Sequence, residues 1–164
     1  MNEAVKSRLA SYKILSVDDE TNALREMIQE IALVGLWRAK FFEKAAFYGG
    51  TALRILHNLP RFSEDLDFSL LETNHSFDIS KYENELTKEL HAFCFEVDII
   101  KKPKPNESTV DSAFIKANTI MLKDGAPGVD RGKVCAITIS LYDRILQLPE
   151  ADAAMVLRSL AEAA

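Results

Sequence analysis

The stretch from Lys44 to Leu70 leaves the chain little conformational freedom. Lys44-Ala45-Ala46-Phe47-Tyr48 is a short apolar run that meets Gly49-Gly50. It reads as a buried strand closed by a glycine turn. Thr51 to Asn58 follows as a short helix, with Leu53, Leu56 and His57 spaced along it. Pro60 stops it, and Arg61 to Glu64 is a loop. Asp65-Leu66-Asp67-Phe68-Ser69-Leu70 then alternates polar and apolar, the period of a strand. That alternation sends Leu66, Phe68 and Leu70 to the core and Asp65, Asp67 and Ser69 to the opposite face.

The flanking segments extend the same alternation of helix and strand. Leu24, Met27, Ile28, Ile31 and Val34 fall at helical spacing, and acids crowd the start, so a helix is expected from about Asp18 to about Arg38. Tyr82, Leu86 and Leu90 predict a second, roughly Ile79 to Phe93. Phe95, Val97 and Ile99 alternate with Glu96 and Asp98 as a strand, and Val110 to Met121 holds another strand or two. Lys123 to Gly132, with Gly125, Gly128 and Pro127, reads as a loop. Val134 to Tyr142 fits either period and is taken as a strand running into a short helix; Ala151 to Ala163 reads as a terminal helix. No repeat or linker divides the chain. The expected fold is α/β (α+β), one domain over residues 1–164, with a central mixed sheet flanked by helices.

Composition narrows the function classes. At 164 residues and 48% hydrophobic, the chain can bury a core without staples. A net charge of -5 argues against a surface that is wholly a nucleic-acid footprint, though not against a local basic groove. Met1 to Ala10 carries charges and no apolar block, and no run approaches the length of a membrane span. The expectation is a soluble, cytoplasmic protein with no membrane partner. Cys94 and Cys135 lie in apolar runs and are expected to be buried, reduced thiols. His57, His75 and His91 show no ligand spacing and read as surface residues. Trp37, Phe41, Phe42 and Phe47 read as core. Lys101, Lys102 and Lys104 read as a solvated loop.

Two features carry chemistry. Gly49-Gly50-Thr51 lets the backbone turn sharply at the start of a helix, whose unpaired N–H groups and positive dipole end suit phosphate. The Thr51 hydroxyl would cap the helix or touch a phosphate oxygen. Taken alone, such a turn is usually only a turn. Asp65 and Asp67, two apart on a strand, point the same way and would repel unless a cation lay between them. Mg2+ is a hard ion held by one or two carboxylates plus substrate phosphates. Taken alone, the pair reads more readily as two solvated acids on an edge strand. One short helix and one loop separate the features, so both can reach one nucleotide.

Gly49-Gly50-Thr51-Ala52-Leu53 followed by Arg61-Phe62-Ser63-Glu64-Asp65-Leu66-Asp67-Phe68 resembles the signature of AbiEii-type toxins, members of the polymerase-β-like nucleotidyltransferase superfamily. Gly50-Thr51 stands where that superfamily usually has Gly-Ser. The resemblance implies a nucleotidyltransferase-like fold. It implies Mg2+ on Asp65 and Asp67 as catalytic residues, and a triphosphate on Gly49, Gly50 and Thr51, with Arg61 and Ser63 in the matching loop. It implies transfer of a nucleotidyl group from an NTP to an acceptor hydroxyl, such as one on tRNA, by a toxin opposed by a cognate antitoxin. The chain departs from the pattern in two ways. The strand expected to supply a third carboxylate, Val134 to Leu141, offers Thr138 and Ser140 instead, with Asp130 before it and Asp143 after it. The chain is also short at its C-terminus relative to the family. These departures leave open a catalytically silent nucleotide- or partner-binding member, and the net negative charge is consistent with a second alternative, a transferase acting on a small molecule or protein.

Overall fold

The computed structural model describes residues 3–74, 76–101, 110–118 and 134–142. Lys102 and Lys104 of the expected basic loop, the glycine-containing loop from Lys123, the expected helix over Ala151 to Ala163 and His75 lie outside the described residues, whereas Lys101 ends a strand and pairs with Asp78 at 2.6 Å instead of lying in a solvated loop.

The chain opens with α1 (Glu3–Ala10) and the long α2 (Val17–Arg38). Ser16 caps α2, its hydroxyl accepting from the Asp19 N–H at 3.1 Å, while the Asp19 carboxylate accepts from the Leu15 N–H at 3.0 Å. Asp18, Asp19 and Glu20 occupy the first turn, where carboxylates oppose the positive dipole end. A 3-10 turn, Phe41–Glu43, leads into β1 (Ala45–Tyr48). Then come α3 (Gly49–His57), β2 (Asp65–Leu70), a 3-10 turn at Ile79–Tyr82 running into α4 (Glu83–Ala92), β3 (Glu96–Lys101), β4 (Val110–Asn118) and β5 (Val134–Tyr142).

The five strands form one sheet in the order β1-β2-β5-β4-β3. The β2–β5 pair is parallel and the other three are antiparallel, so the sheet is mixed as the sequence implied. Leu66, Phe68, Leu70 and Ile139 are buried on the sheet and join Met27, Ile28 and Leu36 of α2 and Leu86 and Leu90 of α4 in one core cluster. Of the expected aromatic core, Phe41 and Phe47 are buried and Phe42 packs against the cluster, whereas Trp37 is only half-buried and stands outside it. Phe41 is fully buried, with the rings of Phe68 at 4.9 Å and Tyr82 at 5.0 Å packed edge-on to it. That is the favoured geometry for aromatic quadrupoles.

Several boundaries moved. The Ile79-to-Phe93 helix divides because Asp78 caps a 3-10 turn, accepting from the Ser80 N–H, before the α-helix begins. Val134–Tyr142 is a strand throughout, fixed by its pairing with both β2 and β4. Cys94 is exposed, not buried. It sits at the α4-to-β3 turn with φ 64°, its N–H donating to the His91 carbonyl, so local turn geometry rather than neighbouring hydrophobicity sets its direction. Ser69 shares the face of Asp65 and Asp67 yet is 1% exposed, so that face is open only at the N-terminal end of β2. Among the described residues no helix is long and apolar enough to cross a membrane.

Candidate active site

The glycine turn and the carboxylate pair meet where β1 passes directly into α3. Tyr48 is still extended, and Gly49, at φ +83°, reverses the chain so that the helix starts with no intervening loop. The helix therefore begins at Gly49, two residues earlier than the spacing suggested. A positive φ of this kind costs a residue with a β-carbon about 1–2 kcal/mol. At Gly49 space is a second constraint: a β-carbon there would lie 2.6 Å from Asp67 Oδ2. At Gly50 a β-carbon would stand 3.0 Å from Ser63 Oγ.

Thr51 completes this set of contacts. Its side chain is buried, and its hydroxyl donates to the backbone carbonyl of Asp65. The expected helix cap is thereby corrected: Thr51 is the third residue of α3, and its hydroxyl ties the helix to the first residue of β2. Tyr48, the N-cap residue, makes no side-chain cap bond to α3. Each residue of the turn thus meets the loop or the strand: Gly49 faces Asp67, Gly50 faces Ser63 and Thr51 faces Asp65. Arg61 is exposed at the start of that loop.

The electrostatics follow from the packing. Asp65 is exposed and Asp67 is half-buried. Burial, and then repulsion from Asp65, hold the Asp67 carboxyl above the usual carboxylate range. A cation between the two would relieve both causes. Among the described residues no cluster of three or more His, Cys, Asp or Glu side chains forms a self-sufficient metal cage. The residues that could hold a metal ion here are Asp65 and Asp67, whose carboxylate oxygens are hard donors of the kind Mg2+ takes.

Register locates the position where a third acid is wanting. β5 runs beside β2 with Thr138 opposite Asp65 and Ser140 opposite Asp67, so neither neighbouring position is acidic. Asp98 pairs with Lys116 of β4 on the far edge strand, three strands from β2, and is not brought to the pair. His57 and His91 are exposed on helix surfaces, as read.

Sequence reasoning missed a second set of residues around this site. Glu26 and Gln29 of α2 are buried at 8% and 1% exposure. Gln29 Nε2 donates to the Ser63 carbonyl at 3.0 Å, and Glu26 pairs with Arg54 of α3 at 2.6 Å and accepts from the Tyr12 hydroxyl at 2.9 Å. Their only sequence signal is polarity beside the apolar stripe of α2, which also describes an ordinary solvated face.

A mixed sheet with paired carboxylates beside a helix-starting glycine turn defines a nucleotidyltransferase-like domain. JHP933 from Helicobacter pylori shares this fold at a TM-score of 0.50 and 18% identity, over 84% of this chain and 49% of that one. A second H. pylori structure, described as a candidate nucleotidyltransferase, matches at a TM-score of 0.47 and 18% identity, over 83% and 49%. The model of the nucleotidyl transferase AbiEii toxin family, of type IV toxin–antitoxin systems, matches residues 31–156, and the chain belongs to that family. It spans about half the length of the two H. pylori structures. A comparison with curated proteins gave no match.

Proposed function

We propose that this protein is a Mg2+-dependent nucleotidyltransferase that moves a nucleotidyl group from an NTP to an acceptor hydroxyl, with tRNA as the acceptor, acting as a toxin held in check by a cognate antitoxin. The observation that carries the reading is the close approach of Asp67 to Gly49, which sets the carboxylate pair against the glycine turn at the start of α3. Family membership supports both the transfer chemistry and the antitoxin partner.

On this reading the triphosphate lies at the α3 N-terminus, on the backbone N–H groups of Gly49, Gly50 and Thr51. Arg61, exposed at the rim, neutralises phosphate charge through its planar fork. Asp65 and Asp67 would hold the metal, which when bound would stabilise the charge on the attacking and departing oxygens. The acceptor oxygen forms a bond to the α-phosphorus while the bond to pyrophosphate breaks, and the acceptor proton passes to solvent. Positioning and electrostatics carry most of such a reaction.

A second reading keeps the binding and loses the transfer. It is favoured by Thr138 and Ser140 standing where an acid would help take the acceptor proton. Incubation with each labelled NTP, Mg2+ and total tRNA, comparing the wild type with Asp65→Ala/Asp67→Ala, separates the two. Label moved to RNA by the wild type alone supports transfer. Mg2+-dependent NTP binding without transfer supports the silent member. Transfer only when small molecules or proteins are supplied moves the acceptor to that class.

A further inference from the structure

We infer that α2 positions the nucleotide site through three residues of one face, Arg25, Glu26 and Gln29, with Gln29 as the principal positioning residue. This rests on the nucleotide-binding reading of the Gly49–Thr51 turn.

The argument starts from a polar residue in an apolar place. Gln29 is 1% exposed on a helix whose neighbours Met27, Ile28 and Ile31 belong to the core. A buried amide is costly unless it is hydrogen-bonded, and a leucine or methionine would fill the same space without that cost. The bond Gln29 makes does not stabilise its own helix. It reaches 34 residues along the chain to the Ser63 carbonyl. Ser63 is the residue whose side chain lies against Gly50.

The loop residues on either side are tied to the same face. Arg25 Nη1 donates to Glu64 Oε1 at 2.9 Å. Phe62 lies under the Arg54 guanidinium, 4.1 Å from ring centroid to Cζ, and that guanidinium is held by Glu26 and by the Leu59 carbonyl. Phe62, Ser63 and Glu64, three consecutive residues, are therefore each connected to α2, one of them through Arg54. Positions 25, 26 and 29 fall on one side of a helix. Glu64 is 71% exposed, which makes the Arg25 pair the weakest of the three ties and the buried Gln29 bond the strongest.

The loop is held between α2 on one side and α3 on the other, and it enters β2 at Asp65. A loop free to slide would shift Ser63 off Gly50 and shift Asp65 relative to the glycine turn. Small displacements of this kind cost binding and rate without touching a ligand. The stripe thus acts through the loop, and its members are positioning residues.

The test is Gln29→Met, which keeps the volume and removes the donor, beside Ile28→Val, which trims the same helix without touching the loop. Amide hydrogen exchange over residues 61–66 is read together with NTP binding and, where transfer occurs, KM and kcat. Gln29→Met is expected to speed exchange in that segment about tenfold and to raise KM for NTP several-fold, with kcat falling less. Ile28→Val is expected to lower overall stability and leave both readouts near wild type. Arg25→Gln, at the partly exposed end of the stripe, supplies a milder variant with the same expected direction should Gln29→Met fail to fold. Unchanged exchange over 61–66 in the folded stripe variants, or an equal rise in KM in Ile28→Val, overturns the inference. A wild type that neither binds nor transfers nucleotide overturns the functional reading instead, while the exchange data still decide whether α2 holds the loop.

Discussion

The carboxylate of Asp67 occupies the space where a side chain on Gly49 would begin. A β-carbon built on Gly49 comes within 2.6 Å of Asp67 Oδ2, and the glycine's φ of +83° is itself unfavourable for any other residue. Turn and acid are therefore one steric unit, although 18 positions separate them in the chain.

Gly49→Ala should displace Asp67 as well as strain the turn. The strain alone is about 1–2 kcal/mol. Denaturant titration should show a loss of at least that size, and Mg2+-dependent NTP binding should fall by an order of magnitude or more. A variant with wild-type stability and binding would show that the turn is not the constraint described.

Asp67→Asn should stabilise the metal-free protein at neutral pH. The native carboxyl is held above its unfolded value, so the folded state binds more protons in that interval, and stability falls as pH rises through it. Removing the charge removes that loss. Thermal melting without Mg2+ should give a higher Tm for the variant at pH 7, by up to a few degrees, and the difference should vanish below about pH 3.9, where the unfolded carboxylate is also protonated. Added Mg2+ should raise the wild-type Tm and leave the variant's unchanged.

Thr51→Val keeps the shape of the side chain and deletes the hydroxyl that the Asp65 carbonyl accepts from. A partly buried acceptor left without its donor costs about 1 kcal/mol, the low end for such groups, and Thr51→Ser should recover most of it. Urea midpoints for the pair measure this directly; a Thr51→Val variant as stable as the wild type would show that the hydroxyl is not what ties α3 to β2.

Asp78→Ala should destabilise the entry to α4 in a pH-dependent way. Lys101, then the Ser80 N–H, hold the Asp78 carboxyl far below the usual range. Its contribution is present above the unfolded carboxylate pKa of about 3.9 and is lost as pH falls toward the depressed native value. The loss at pH 7 is expected near 1 kcal/mol, the size of a cap, because the Lys101 pair is 40% exposed and screened. A wild-type-to-variant difference that stays constant down to pH 2 would contradict this.

Phe41→Ala would open the aromatic centre that Phe42, Phe68, Phe77 and Tyr82 share. The expected cost is about 3–5 kcal/mol, read as a fall in the denaturant midpoint with unchanged slope. A loss below about 1 kcal/mol would mean that the neighbouring rings close the gap.

Local pattern and chain order made much of this protein legible before any coordinates. Two-residue alternation placed Leu66, Phe68 and Leu70 in the core and Asp65 beside Asp67. Helical spacing found α2 to within a residue or two, because a long amphipathic stripe with a capped, acidic start has few other conformations. The glycine turn was readable because only glycine suits both its φ and its spacing. Other features depend on contacts between distant segments, which no local period encodes. Pairing with two neighbours made Val134–Tyr142 a strand throughout, where its own pattern fitted a helix as well. Register alone set Thr138 beside Asp65 and Ser140 beside Asp67, and removed Asp98 to the far edge. The outward turn of Cys94, the burial of Ser69, the use of the Thr51 hydroxyl and the reach of Gln29 to Ser63 were likewise decided by packing. A polar side chain has the same letter whether it faces water or a carbonyl brought to it by the fold.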